Sequence, residues 1–143
     1  SAYVTLHSGL GNFRAIEVED LTKHKMDSEQ MEINEQNANL INKTKERNNK
    51  VCIVGTTTMK AVETAAITGN RVKVYSGWTN KFIFPNYNFA IADAMITNFH
   101  PPLSSMLMMV SAFGGYDLIM EAYKHAIEKE YKFLTYGDAM LII

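Results

Sequence analysis

Between Lys50 and Tyr75 the chain alternates apolar runs with glycine breaks, and this succession constrains the fold more than any other feature. Lys50-Val-Cys-Ile-Val54 reads as a short buried strand closed by Gly55. Thr56-Thr-Thr58 then opens a helix over 59–67, Gly69-Asn70 ends it, and 71–75 is the next strand. Strand, crossover helix and strand form a βαβ unit, whose two strands run parallel and are covered by helices. Strands are also expected over 3–7, 26–33, 81–84 and 89–97. Asn34 is placed to cap a polar helix that ends near Asn48-Asn49 and has only Ala38, Leu40 and Ile41 to bury. The fold class that follows is α/β, with a mixed, partly parallel sheet flanked by helices.

Two more helices lie downstream. Residues 104–113 are apolar nearly all round, which predicts a centrally packed helix, its methionines core-forming. Gly114-Gly115 breaks it. Over 117–129, Leu118, Ile119, Ala122, Tyr123, Ala126 and Ile127 share one face at helical spacing, with His125 opposite. Residues 131–143 form an extended segment split at Gly137-Asp138.

The 143 residues make one domain, and the 47% apolar share supports a real core. No apolar run approaches the roughly 20 residues that span a bilayer. A formal charge of −1 gives no global basic field, so any nucleic-acid contact needs a local patch. The single cysteine, Cys52, builds neither a disulfide framework nor a zinc site; it reads as a small buried hydrophobe in a reducing cytoplasm. Ser1-Ala-Tyr-Val-Thr-Leu6 enters directly as a β-like run without an initiator Met, as the interior of a longer protein would.

Several polar groups stand where chemistry is possible. Gly55, Thr56, Thr57 and Thr58 at a strand-to-helix junction suit an anion, through free N–H groups and hydroxyls, or simply an N-cap. Trp78, in Ser76-Gly-Trp-Thr79, can stack on a base or anchor the core. In Ile96-Thr-Asn-Phe-His-Pro-Pro-Leu-Ser-Ser105, Asn98 is both donor and acceptor and His100 titrates near neutrality. Pro101-Pro102 stiffens the backbone there and Ser104 can cap the helix that follows. By residue chemistry alone this stretch is a rigid turn. Asp138, after Tyr136-Gly137, is a structural acceptor or a site carboxylate. His24, Met26 and Glu29 face a ligand or form a solvated loop. No metal-ligand spacing links His7, His24, His100 and His125.

Taken in order, these stretches resemble the S-adenosylmethionine:tRNA ribosyltransferase-isomerase family of queuosine biosynthesis. The family's His-Val-Gly-x-Gly-Thr-Phe is similar to His7-Ser-Gly-Leu-Gly-Asn-Phe13, and His-x-Met-His-x-Glu to His24-Lys-Met-Asp-Ser-Glu29. Gly-Thr-Thr-Ser-Val-Arg resembles Gly55-Thr-Thr-Thr-Met-Lys60, and Gly-Trp-Thr resembles Gly77-Trp-Thr79. Thr-Asn-Phe-His-Leu-Pro-Lys-Ser is mirrored by Thr97-Asn-Phe-His-Pro-Pro-Leu-Ser104, and Tyr-Gly-Asp-Ala-Met by Tyr136-Gly-Asp-Ala-Met140. The resemblance implies the C-terminal part of a larger two-domain protein whose N-terminal half carries a β-barrel.

It also implies a reaction. The ribosyl group of S-adenosylmethionine is transferred to the 7-aminomethyl-7-deazaguanine base of a tRNA anticodon loop and rearranged. Epoxyqueuosine-tRNA, adenine and methionine result, and no metal is needed. The implied enzyme is a cytoplasmic monomer without a membrane partner. His100 is then the proton-transfer group and Asp138 orients an imidazole or takes the amine's proton. Gly55 to Thr58, with Lys60, hold a carboxylate or phosphate, and Trp78 stacks on adenine or the target base. Thr79, Asn98, Ser104, Tyr136, His24 and Glu29 complete the implied binding set. The chain departs from the family at Lys60 (arginine), Pro101 (leucine), Leu103 (lysine), Asp27 (histidine), Asn12 (threonine) and Asn86 (glycine). These departures leave a second reading, a diverged α/β module that binds an adenosine-type ligand or RNA without turnover.

Overall fold

The computed structural model describes residues 1–143, with the side chain of Phe13 outside the description. The strands are β1 (Thr5–Leu6), β2 (Glu29–Ile33), β3 (Cys52–Val54), β4 (Ala66–Ile67), β5 (Arg71–Val72), β6 (Tyr75–Thr79), β7 (Ala94–Asn98) and β8 (Ala139–Ile142). The helices are α1 (Glu35–Glu46), α2 (Thr56–Ala65), α3 (Ser105–Gly114) and α4 (Tyr116–Glu128). In place of one sheet there are three small ones, ordered β1-β2-β6, β3-β7-β8 and β4-β5. The class is α/β as expected, and its mixed sheet pairs β3 with β7 in parallel and β7 with β8 in antiparallel.

The parallel partner of β3 is therefore β7, not the segment 71–75. Helix α2 ends at Ala65, and the chain turns at once into the antiparallel hairpin β4-β5. Residues 75–79 then cross to pair antiparallel with β2. Residues 81–84 and 89–93 carry no strand.

Helix α2, and not α3, is the central element. Met59, Ala61, Val62 and Ala65 are buried on it, and so are Lys60 and Glu63, against strands β1, β2, β3 and β6 and helix α3. Two charged side chains inside such a helix need fixed partners. Lys60 finds Glu29, while Glu63 accepts from the N–H groups of Ala90, Ile91 and Ala92. That carboxylate thereby fastens the strandless segment before β7. A buried amide, Asn42 on α1, exchanges two hydrogen bonds with the Val72 backbone and ties α1 to β5.

Strand parity decides what faces inward. In β2 the alternation puts Glu29, Met31 and Ile33 inside and Gln30 and Glu32 outside. In the mixed sheet, Ile53, Met95 and Ile142 face the core, so Cys52, Val54 and Leu141 lie on the other side and are exposed. Cys52 is thus not the buried hydrophobe its apolar neighbours predict, because Ile53 takes the inward place. On α4 only Ile119, Tyr123 and Ala126 are buried, and Leu118 and Ile127 are exposed, so the inward stripe is narrower than its apolar pattern.

Candidate functional site

A cavity of about 520 Å³ opens at the carboxyl ends of the two parallel strands. That is where open α/β sheets generally receive ligands. From the end of β3 come Gly55, Thr56 and Thr57; from the end of β7 come Thr97, Asn98, His100 and Pro101. Helix α3 adds Ser105, Met106 and Met109. Glu29 and Lys60 lie at the buried side, while Phe82 and Leu134 close other walls.

Gly55 stands at φ 90°, ψ 145°, a left-handed-side conformation that L side chains rarely adopt. It is the N-terminal flanking residue of α2, and no side chain caps the helix start. The threonine cap allowed by the sequence is not formed. Thr56, Thr57 and Thr58 belong to the first turn, whose N–H groups have no partner within the helix. Thr56 and Thr57 reach the cavity; Thr58 does not line it.

His100 is set by its neighbours on both sides. Phe99 is buried, with ring centroids 5.2 Å from Tyr123 and 5.1 Å from Phe133. The His100 N–H donates to the Tyr123 hydroxyl at 2.8 Å, so one tyrosine fixes ring and backbone together. The imidazole Nε2 is 2.7 Å from Thr97 Oγ1. Burial pushes the His100 pKa down to about 4, which leaves the ring neutral near pH 7. Burial also raises the Tyr123 phenol, against the lowering effect of the His100 N–H.

The proline pair leads into α3 through a capped turn. Ser104 Oγ donates to the Pro101 carbonyl at 2.8 Å and accepts from Leu107 N–H at 3.1 Å. Ser104 is thereby occupied as a cap and lies outside the cavity lining.

The Glu29–Lys60 pair is the electrostatic centre of the cavity floor. Lys60 Nζ is 2.5 Å from Glu29 Oε2, and both side chains are almost wholly buried. Glu29 Oε1 accepts from Gly9 N–H at 2.8 Å and from Asn12 Nδ2 at 2.6 Å. Asn12, where the family has threonine, thus reaches the carboxylate with its amide. Glu29 sits on β2 and not on a solvated loop.

Other expected site residues fall elsewhere. Trp78 lies opposite Gln30 on the outward face of β6, is 64% exposed and does not line the cavity. Thr79 is buried one residue on, bonded to Thr64 Oγ1 and accepting from Lys81 N–H. Asp138 does not meet His100: its carboxylate accepts from Lys132 N–H at 2.7 Å and closes the turn around Gly137. The turn is tied to the site through its backbone, since Asn98 Nδ2 donates to the Asp138 carbonyl at 3.1 Å. Tyr136 at its tip is fully exposed. His24 lies just behind the wall, its ring 4.8 Å from Phe82. The sequence assigns Thr97, Phe82 and Tyr123 no role in the site. Only Thr97, three residues before His100 at a strand end, carried a local signal.

One departure acquires a reason, and a second, at Leu103, has no structural explanation. Asn86 has φ 76°, so it occupies a position suited to the family's glycine with one of the side chains that tolerates it. Leu103 has φ 56°, its carbonyl accepts from Ile16 N–H, and its side chain is exposed outside the cavity. Among the described residues no three His, Cys, Asp or Glu side chains are grouped to hold a metal, and no helix is long and apolar enough to cross a membrane.

Comparison with known proteins adds an independent line. The family model described as "Queuosine biosynthesis protein" matches residues 1–142. A protein of Parabacteroides distasonis named S-adenosylmethionine:tRNA ribosyltransferase-isomerase is 60% identical over 142 residues, covering 99% of this chain and 41% of that protein. One of the same name from Phocaeicola vulgatus is 58% identical, with 99% and 40% covered. The crystal structure of an S-adenosylmethionine tRNA ribosyltransferase from Thermotoga maritima superposes with TM-score 0.75 at 42% identity, over 80% of this chain and 40% of that one. The chain thus spans about two fifths of the length of the relatives it matches.

Proposed function

Because the chain belongs to the queuosine biosynthesis protein family, we propose that its cavity serves the transfer and isomerisation of the ribosyl group of S-adenosylmethionine onto tRNA. The acceptor is the 7-aminomethyl-7-deazaguanine base of an anticodon loop; the products are epoxyqueuosine-tRNA, adenine and methionine. The observation that carries the reading is the His100 imidazole in the wall of a cavity that also receives the uncapped start of α2, with burial lowering its pKa.

The chemistry asks for these parts. The sulfonium acidifies the adjacent ribose carbon, and a base must take the proton. His100 enters the reaction unprotonated because burial disfavours its cation. Thr97 holds Nε2 and so fixes the plane of the ring. The methionine carboxylate, or a tRNA phosphate, meets the N–H groups around Thr56 and Thr57, with the partial positive charge of the helix start. Lys60 supports that end while its charge is matched by Glu29. Asn98 offers a carboxamide at the opposite wall.

Placement changes two of the roles implied by the resemblance. Asp138 acts as a turn-closing carboxylate that positions Asn98, and Trp78 is free for contacts outside the cavity. The protein so read works in the cytoplasm, where tRNA is modified, and takes S-adenosylmethionine as a substrate. The test is adenine release from S-adenosylmethionine by the whole protein, given an anticodon stem-loop that bears the deazaguanine amine. Adenine should form only when both substrates are present.

A further inference from the structure

We propose that Phe82, backed by the imidazole of His24, is the platform on which the reaction's purine-type ring stacks. This inference rests on the reading above and names the part of that site which grips the heterocycle. Among the described residues lining the cavity, Phe82 supplies the one phenyl ring. Its position is fixed from two directions: the His24 ring lies 4.8 Å away at 56°, and the Phe84 ring 5.0 Å away at 30°. His24 is itself held at the end of a short helical turn, where its N–H donates to the Leu21 carbonyl. A side chain already immobilised by its neighbours loses little further freedom when a ligand arrives.

The remaining wall suits a flat, apolar-faced guest. Met26, Met106 and Met109 line the same cavity, and thioethers pack well against aromatic rings. Every nucleobase presents a π face whatever its hydrogen-bonding edge, so a phenyl ring takes either adenine or the deazaguanine. Trp78, the obvious candidate by residue type, is excluded from this role by strand parity. Its register with Gln30 turns it to the outward face of the sheet.

The test uses the whole protein and its Phe82→Leu, Phe82→Tyr and Trp78→Phe variants. Equilibrium binding is measured for adenine, S-adenosylmethionine and the amine-bearing anticodon stem-loop, and circular dichroism confirms the fold. Loss of the ring weakens its ligand by about tenfold or more. If the guest is adenine, Phe82→Leu weakens adenine and S-adenosylmethionine while the stem-loop binds as before. If it is the target base, only the stem-loop weakens. Phe82→Tyr and Trp78→Phe keep wild-type affinity in either case. The platform is overturned if Phe82→Leu binds all three ligands within about twofold of wild type, or if Phe82→Tyr loses as much as Phe82→Leu. Ring binding that depends on Phe82 without adenine release would remove the proposed reaction and keep the platform. Adenine release with an indifferent Phe82→Leu would do the reverse, and a wild-type protein that binds none of the ligands would remove both.

Discussion

Lys60 and Glu29 form a buried ion pair, Nζ to Oε2 at 2.5 Å, between the central helix and the second strand. Removing one partner leaves the other charge buried and unpaired, at a cost of about 3–5 kcal/mol. Lys60→Met therefore lowers the urea midpoint sharply. Lys60→Arg, which restores the residue typical of the family, retains most of the stability. The measurement is equilibrium urea denaturation of both variants beside the wild type.

The His100 ring predicts a definite pH dependence of stability. Its folded pKa, about 4, lies below the unfolded reference of 6.5. Between those values the unfolded chain binds more protons, so stability is full above about pH 6.5 and is lost as pH falls toward 4. The loss amounts to roughly 3 kcal/mol. Urea titrations at pH 7 and pH 4.5 show it, and His100→Gln flattens that part of the profile.

The buried Glu63 carboxylate accepts from the hydroxyl of the half-buried Tyr87. Burial first, and the Glu63 charge second, raise the Tyr87 phenol to about 12. Glu63→Gln removes the charge and lowers the phenol part of the way, since burial remains, as ultraviolet titration of tyrosinate would record. Because Glu63 also holds the N–H groups of residues 90–92, the same variant loosens that segment and speeds its amide exchange.

Gly55 carries the backbone turn that opens the cavity. Its φ of 90° costs any residue with a Cβ about 1–3 kcal/mol, although no neighbouring atom blocks the space. Gly55→Ala lowers the thermal midpoint and reduces substrate affinity together, since strain there shifts the start of α2. Calorimetry and ligand binding on one sample read both effects.

What was legible in the sequence was chiefly local. Asn34 caps α1 by accepting from Asn37 N–H, Ser104 caps α3, and Gly115 ends α3 at φ 83°, each as its residue type dictates. Pairing across the chain was not legible. The parallel partner of β3 depends on where residues 75–79 go, and they leave to join β2. One residue of register then decides that Thr79 is buried and Trp78 is not. In the same way Ile53 displaces Cys52 from the core. The burial of Lys60 and Glu63 depends on distant partners, Glu29 and residues 90–92, which no local pattern announces. The motif around His100 told where chemistry could lie, but the neutrality of that ring comes from burial that only tertiary packing creates.

Proton transfer by a neutral His100 imidazole is the step on which the proposed reaction turns. It is tested most directly by single-turnover adenine release in the whole protein with His100→Ala, using saturating S-adenosylmethionine and amine-bearing stem-loop. Release falls by at least about a hundredfold, with an unchanged circular dichroism spectrum and substrate binding close to wild type. Adenine release at near wild-type rate in that variant would contradict it.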